Sequence, residues 1–302
     1  MSLPWQEEVE GFCRRFDVPI EFLAHILSDP KVVPMIRGQS FEFSATQKLA
    51  RVLPQGEWRV EKPTMNAQLE LKDIDVKVTH LPTSQVIRVE CKLAGNGGFR
   101  KYSEKKIRET SIILPAHSTI KVKCMRSRTL GERKVNELAP KMGVSVKSLA
   151  AHADSYRVAD FDVVLTTIGN AFYETNELGE YVFSPKETEL EFLERLNPKH
   201  ADHKIGAFEK MYLAKAEDLC VGNPTYPIIC GRQRCDNKIA CGFIPNYPLI
   251  NFPEGSTEPN NGWVSIEKCL SLFQEIVSQS QPKEAEAIVE EQLAHQVKNN
   301  SL

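Results

Sequence analysis

Two strand-like runs joined by a short turn constrain this chain more than any other stretch of it. Gln68–Thr79 and Gln85–Leu93 flank the polar turn Leu81-Pro82-Thr83-Ser84, and both alternate as half-buried strands do. Ile74, Val76 and Val78 point one way, and Asp73, Asp75 and Lys77 the other. In the second run Val89, Cys91 and Leu93 oppose Arg88, Glu90 and Lys92. Side chains on a strand alternate with period two, so Glu90 and Lys92 must share a face. With residues 81–84 as the turn, His80 faces Gln85, paired positions sum to 165, and Asp75 stands across from Glu90. Directly opposed Cβ atoms lie roughly 4.5–5.5 Å apart, and like charges there destabilise a sheet unless something neutralises them. A divalent cation does so, and two hard carboxylate oxygens suit Mg²⁺. Lys92, one pleat along, would orient a water or steady developing negative charge. This reads as a phosphodiester-cutting centre. A charged hairpin of a solvated antiparallel sheet shows the same alternation, so the choice rests on other parts of the chain.

Upstream, Gly38-Gln39-Ser40-Phe41-Glu42 leads into a helix expected over Ser44–Leu53, with Phe41, Ala45, Leu49 and Val52 at helical spacing. Ser40 or Ser44 is the expected N-cap, and Pro54-Gln55-Gly56 the stop. Glu42 then opens the helix, either as a third carboxylate for a metal-bound water or second ion or as an ordinary partner of the helix dipole.

The net charge of the chain is only −2, which does not suggest indiscriminate polyanion binding, yet the charge is uneven. Between Phe99 and Lys134 stand eleven bases (Arg100, Lys101, Lys105, Lys106, Arg108, Lys121, Lys123, Arg126, Arg128, Arg133 and Lys134) against three acids, Glu104, Glu109 and Glu132. The excess begins just past Lys92 and a glycine run, Gly95-Asn96-Gly97-Gly98, expected to be flexible. A basic surface beside a carboxylate centre is what a nuclease needs, because phosphate contacts supply most non-specific affinity. Of these, Arg100, Lys101, Lys105, Lys106, Arg108, Lys123, Arg126 and Arg128 are the candidate DNA contacts.

Together, Gly38–Glu42, Ile74-Asp75-Val76 and Val89-Glu90-Cys91-Lys92 resemble the PD-(D/E)XK nuclease superfamily, particularly type II restriction endonucleases. The resemblance covers roughly residues 30–110, and more weakly Tyr156–Phe172, where Phe161-Asp162-Val163-Val164-Leu165-Thr166 looks like the later core strand of that family. It implies Asp75 and Glu90 as metal carboxylates, Lys92 as the catalytic lysine, the Cys91 carbonyl as an extra ligand and Glu42 as the helix-borne acid. It also implies Mg²⁺ as cofactor, double-stranded DNA as substrate, a homodimer, and a cognate DNA methyltransferase as genetic partner. Ile74 stands where the family has proline, which leaves Asp73 as a rival to Asp75, although Asp73 would face Lys92 in the register above.

The expected fold class is α/β (α+β with a mixed sheet), an αβββαβ core flanked by helices with an additional C-terminal region. Residues 1–37 read as a helical cap built from Gln6–Phe16 and Pro19–Leu27. The core spans 38–175, with a strand near 57–62, a basic and helical insertion over 99–153 and a strand over 160–168. In that insertion Glu132–His152 is spaced like a helix-turn-helix around Met142-Gly143-Val144-Ser145, with Lys147 and Ser148 on a possible recognition helix. Residues 176–280 read as a recognition or dimerisation region. Its parts are a helical stretch over 183–219, loops and short strands over 226–252 carrying Arg232 and Arg234 with side chains suited to base edges, and an amphipathic helix over Trp263–Gln279. Residues 281–302 form a polar tail.

With 302 residues and 41% hydrophobic content the chain can bury a sizeable core. No apolar run approaches a membrane span, and the acidic N-terminus lacks a signal-peptide core, so a cytoplasmic enzyme is expected. The eight cysteines are then reduced. Cys220, Cys230, Cys235 and Cys241 cluster, but without a Cys-x2-Cys knuckle, and are expected to be buried thiols rather than zinc ligands. The sequence therefore points to a Mg²⁺-dependent type II restriction endonuclease. The alternatives are a structure-specific or repair nuclease of the same fold, and a non-catalytic helix-turn-helix regulator.

Overall fold

The computed structural model describes residues 3–63, 74–106 and 113–279. Asp73, Arg108 and the 281–302 tail lie outside the described residues. In chain order the described elements are α1 (Pro4–Phe16), α2 (Leu23–Ser28), α3 (Val33–Val52), β1 (Trp58–Glu61), β2 (Val76–His80), β3 (Gln85–Tyr102), β4 (Lys105–Lys106), β5 (Ile113–Leu114) and β6 (His117–Val122). Then come α4 (Glu132–Lys141), α5 (Val146–Ala151), β7 (Val163–Thr167), β8 (Tyr173–Thr175), β9 (Tyr181–Phe183), α6 (Glu187–Leu196), α7 (His203–Glu209) and β10 (Met211–Lys215). The chain continues through α8 (Ala216–Leu219), β11 (Leu249–Pro253) and β12 (Val264–Ser265) to α9 (Cys269–Gln279). Among these, no helix is long and apolar enough to cross a membrane.

The fold is mixed α/β, built on one curled sheet of order β1-β2-β3-β7-β10-β12. β1, β2 and β3 form an antiparallel meander, β7 runs parallel to β3, and β10 returns antiparallel to β7. β3 is eighteen residues long and serves two partners in turn. Val89–Leu93 pair with β7, whereas Ala94 and Phe99–Tyr102 pair with β6, which in turn pairs with β11. The register shifts between Ala94 and Phe99. Gly95-Asn96-Gly97-Gly98, expected as a flexible stretch, is therefore the bulge that curls the sheet. Gly97 takes a φ of 55°, and a Cβ on Gly98 would meet the Gly95 carbonyl oxygen at 2.5 Å.

Both faces of the sheet are covered. On one, Phe41, Ala45 and Leu49 of α3 and Leu272, Phe273 and Val277 of α9 pack on Val76, Val78, Ile87, Val89, Val163, Leu165 and Leu213. On the other, Phe192, Leu193 and Leu196 of α6 join Phe99, Ile120, Val122, Val164, Tyr212, Ile250 and Phe252. Strands β10 and β12 and helix α9, all from the C-terminal third, thus complete the sheet and core begun by the hairpin.

Several expected elements differ, among them the helix expected over Trp263–Gln279, which begins only at Cys269 because Val264–Ser265 form strand β12. The helix expected from Ser44 begins at Val33, with Pro34 in its first turn, where a missing N–H costs nothing. Ser44 bonds back to the Ser40 carbonyl at 3.0 Å, and Thr46 to that of Glu42 at 2.7 Å, so neither serine is a cap. Glu42 consequently sits mid-helix, away from the positive end that would have explained it. Within 183–219, expected to be helical, Met211–Lys215 is a strand. Met211, Tyr212, Leu213 and Ala214 are all buried, and a short continuous apolar run buried on both faces has no period to betray it.

A third cluster forms beside the sheet. Val135 and Ala139 of α4 and Leu149 of α5 pack on Cys230, Cys235, Cys241 and Phe243. Ser145 caps α5, accepting from the Ser148 N–H at 2.9 Å. Ser148 itself is buried, with its hydroxyl 3.5 Å from Cys235 Sγ, so of the two expected recognition residues only Lys147 is exposed.

Candidate active site

The hairpin delivers its charged residues in the register its sequence dictates. Pairing runs from Val76↔Val89 to His80↔Gln85, the same sum of 165. Asp75 lies just before β2 and its carboxylate turns one step along. Its Oδ2 accepts from the Cys91 N–H at 2.8 Å, which keeps it beside Glu90. Glu90 is buried, 8% exposed. Its Oε1 accepts the Tyr156 hydroxyl at 2.7 Å and pairs with Lys92 Nζ at 2.6 Å. The Lys92 ammonium also stands 5.2 Å from the centre of the Tyr156 ring. Glu42 reaches in from α3, where Lys62, just past β1, forms an ion pair with it.

The electrostatics follow from this crowding. Burial first, and then the Glu90 charge, push the Asp75 carboxyl up to about 7, against the pull of Lys92 and the Cys91 N–H. Burial alone would discharge Lys92, but Glu90, Tyr156 and Asp75 raise its pKa well above that of an ordinary lysine and hold it charged. Burial, followed by Glu90, likewise keeps the Tyr156 phenol protonated. Two neighbouring, largely buried carboxylates with one lysine between them are short of positive charge, and a hard divalent cation fits that donor set. Asp75 and Glu90 are the residues that could hold one. The Cys91 side chain packs into the core with Val89, so only its backbone is available to the site.

These groups line one cleft of about 1020 Å³ together with Arg37, Asn96, Lys123, Arg126, Arg128 and Asn170. Of the expected DNA contacts, Lys123, Arg126 and Arg128 are thus brought to the carboxylates. Arg126 is already engaged, 2.6 Å from Asp160 and 5.0 Å from the Tyr156 ring centre. The remaining described ones lie elsewhere. Arg100 bonds the carbonyls of Gly97 and Phe99, and Lys101 pairs with Glu191 at 3.2 Å. Lys105 and Lys106 form the exposed strand β4, and Arg234 is exposed in the 220–246 loop. Arg232, expected as a base reader, has its Nη2 2.6 Å from Asp154.

Sequence reasoning missed Tyr156, Lys62 and Arg37. Tyr156 lies in a loop 66 positions from Glu90, with no periodicity to mark it. Arg37 stands over the Tyr173 ring at 4.1 Å, and its Nη2 is buried without a hydrogen-bond partner among the described residues. Asn170 donates to the carbonyl of Ala94 and, at 2.7 Å, to Asn96 Oδ1, pinning the bend of β3 at the cleft wall. No family model matches the chain, and no curated protein or solved structure matches it at a significant level.

Proposed function

We propose that this chain is a Mg²⁺-dependent type II restriction endonuclease of the PD-(D/E)XK superfamily that hydrolyses phosphodiester bonds of double-stranded DNA. The observation that carries the reading is the convergence of Lys92 and Tyr156 on Glu90 beside Asp75, in a cleft bordered by Lys123, Arg126 and Arg128. The order of elements supports it as well. Helix α3, the meander β1–β2–β3 and β7 parallel to β3 are compatible with an αβββαβ core in which β4, β5, β6, α4 and α5 form an insertion.

A cation held by Asp75 and Glu90 would supply a Lewis acid and an activated water. Lys92 is held charged by Glu90 against the cost of burial. Its role is to donate hydrogen bonds to negative charge developing on the phosphoryl oxygens. Tyr156 and Lys92 between them fix the Glu90 carboxylate, and the Cys91 N–H fixes that of Asp75. Lys123 and Arg128 track the phosphate backbone as it enters the cleft.

The test is digestion of a plasmid of known sequence with and without Mg²⁺, beside an Asp75→Ala variant. Discrete Mg²⁺-dependent fragments, absent with the variant, are the expected result. Smearing or junction-specific cutting would point to a repair-type nuclease, and binding without cleavage to a regulator.

A further inference from the structure

Two distant parts of the chain bring three thiols and an imidazole to one point in the α4–α5 module. A ring nitrogen of His152 and the sulfurs of Cys230, Cys235 and Cys241 all lie within 4.8 Å of one another, and all four residues are buried. A tetrahedral zinc ion, with Zn–S of about 2.3 Å and Zn–N of about 2.0–2.1 Å, requires S···S separations near roughly 3.8 Å and S···N near roughly 3.6 Å. Cys230 Sγ and His152 Nε2 are 3.4 Å apart.

The histidine is oriented for this by a chain of hydrogen bonds. The Asp154 carboxylate takes a hydrogen from the Asn246 amide at 2.7 Å, which fixes Asn246 Oδ1 as the acceptor of the Ser155 hydroxyl, also at 2.7 Å. Having donated its one hydrogen, Ser155 can only accept from His152 Nδ1, 3.4 Å away. The proton is therefore on Nδ1, and the Nε2 lone pair faces the thiols, as in the hydrogen-bonded imidazoles of metal sites. Polar groups also stand beside the sulfurs. The Arg232 N–H lies 3.4 Å from Cys230 Sγ, and the Ser148 hydroxyl 3.5 Å from Cys235 Sγ. Cys220, grouped with these cysteines by sequence, stands apart, its thiol donating to the Glu217 carbonyl at 3.2 Å.

We propose that His152, Cys230, Cys235 and Cys241 bind one structural Zn²⁺ ion. Four protein ligands close the coordination sphere, which is the mark of a structural rather than a catalytic zinc. Binding converts three thiols to thiolates and releases three protons to solvent. The ion clamps the segment that presents Tyr156. His152 stands four positions before Tyr156, and just beyond Cys241 the Ile244 N–H donates to the Tyr156 carbonyl at 2.8 Å. The site depends on nothing in the nuclease reading.

The experiment is metal analysis of full-length protein purified under reducing conditions without chelator, followed by replacement of the bound ion with Co²⁺. One zinc per chain is expected, and the cobalt form should show the visible d–d bands and thiolate charge-transfer band of a tetrahedral sulfur-rich site, saturating at one equivalent. Cys235→Ser should lower Co²⁺ affinity at least about tenfold and Ser155→Ala by about 10–100-fold, while Cys220→Ser should leave it unchanged. Should Cys235→Ser fail to fold, the wild-type cobalt titration decides. A protein without zinc and without that spectrum overturns the proposal. So does a Cys220→Ser variant that loses the metal, or a disulfide among the three cysteines under reducing conditions. No arm reads DNA cleavage, so this proposal and the nuclease reading fail separately.

Discussion

Lys92 and Tyr156 share one oxygen of Glu90, at 2.6 and 2.7 Å. A strand carboxylate and the lysine two positions along it are thus locked together by a phenol from a distant loop. The lock holds the ammonium charged. It also makes the lysine a structural counter-charge, so its removal has consequences apart from chemistry.

The Lys92→Ala variant should accordingly show two separable losses. Removing one partner of a largely buried pair costs up to about 3–5 kcal/mol, and urea melts should show it. Adding Glu90→Gln should restore most of that stability. Cleavage should not return, because the lysine and one carboxylate of the proposed cation site are then both missing. Single-turnover rates at saturating DNA should fall by orders of magnitude with affinity changed only modestly. A near-normal rate under those conditions would reduce Lys92 to an ion-pair partner.

Asp75 gives the site a pH signature. Its carboxyl, pushed up to about 7 by burial and by Glu90, keeps in the folded protein a proton that the unfolded chain releases near 4. The resulting stabilisation is complete below about pH 4 and is lost as pH rises through about 7, amounting to no more than about 4 kcal/mol. Without Mg²⁺ the protein should therefore melt higher at about pH 5 than at about pH 8, and Mg²⁺ should narrow the gap by favouring the ionised form. Asp75→Asn should narrow it without metal and abolish the response to Mg²⁺. Equal pH dependence in wild type and variant would show that Asp75 does not titrate in this window.

The hairpin was legible because period-two alternation and a four-residue turn leave one register, and β2 and β3 adopt it. The finer geometry was not. Asp75 bonds Cys91 rather than simply facing Glu90 because the chain leaves the strand at that point. Tyr156 and His152 reach their partners across 66 and 78 positions, from a loop and a helix end whose local patterns carry no period. The membership of the cysteine cluster was hidden for the same reason. Without a short knuckle, only folding shows that His152, and not Cys220, stands with Cys230, Cys235 and Cys241. The glycine run read as flexible from composition, whereas its small size is what lets β3 bend.

That bend supports a direct test. A Cβ on Gly98 would meet the backbone oxygen of Gly95 at 2.5 Å, whereas one on Gly95 would lie 3.8 Å from the Lys121 carbonyl, an ordinary contact. Gly98→Ala should therefore cost about 1–3 kcal/mol, as steric overpacking does, and should impair cleavage by shifting Asn96 at the cleft wall. Gly95→Ala should be tolerated in both assays. Equal behaviour of the two variants in urea melts would remove the bend from the account of the site.

The basic residues divide by position, and salt dependence can tell the groups apart. Lys123 and Arg128 line the cleft, while Lys105 and Lys106 stand on the exposed strand β4. If DNA lies in the cleft, neutralising Lys123 and Arg128 should weaken binding to cognate and unrelated DNA alike. Each lost contact should flatten the slope of log K against log[salt] by roughly 0.9. Neutralising Lys105 and Lys106 should change the slope less. Arg232 belongs to neither group, because its guanidinium pairs with Asp154, which also holds Asn246. Arg232→Ala should therefore lower thermal stability and leave the gap between cognate and unrelated DNA unchanged. Arg234, exposed in the same loop, is the residue whose removal should narrow that gap, by about 1–3 kcal/mol for a bidentate guanine contact. Salt-titrated binding on matched duplexes separates these roles, and a slope unmoved by loss of both Lys123 and Arg128 would mean that DNA does not follow the cleft.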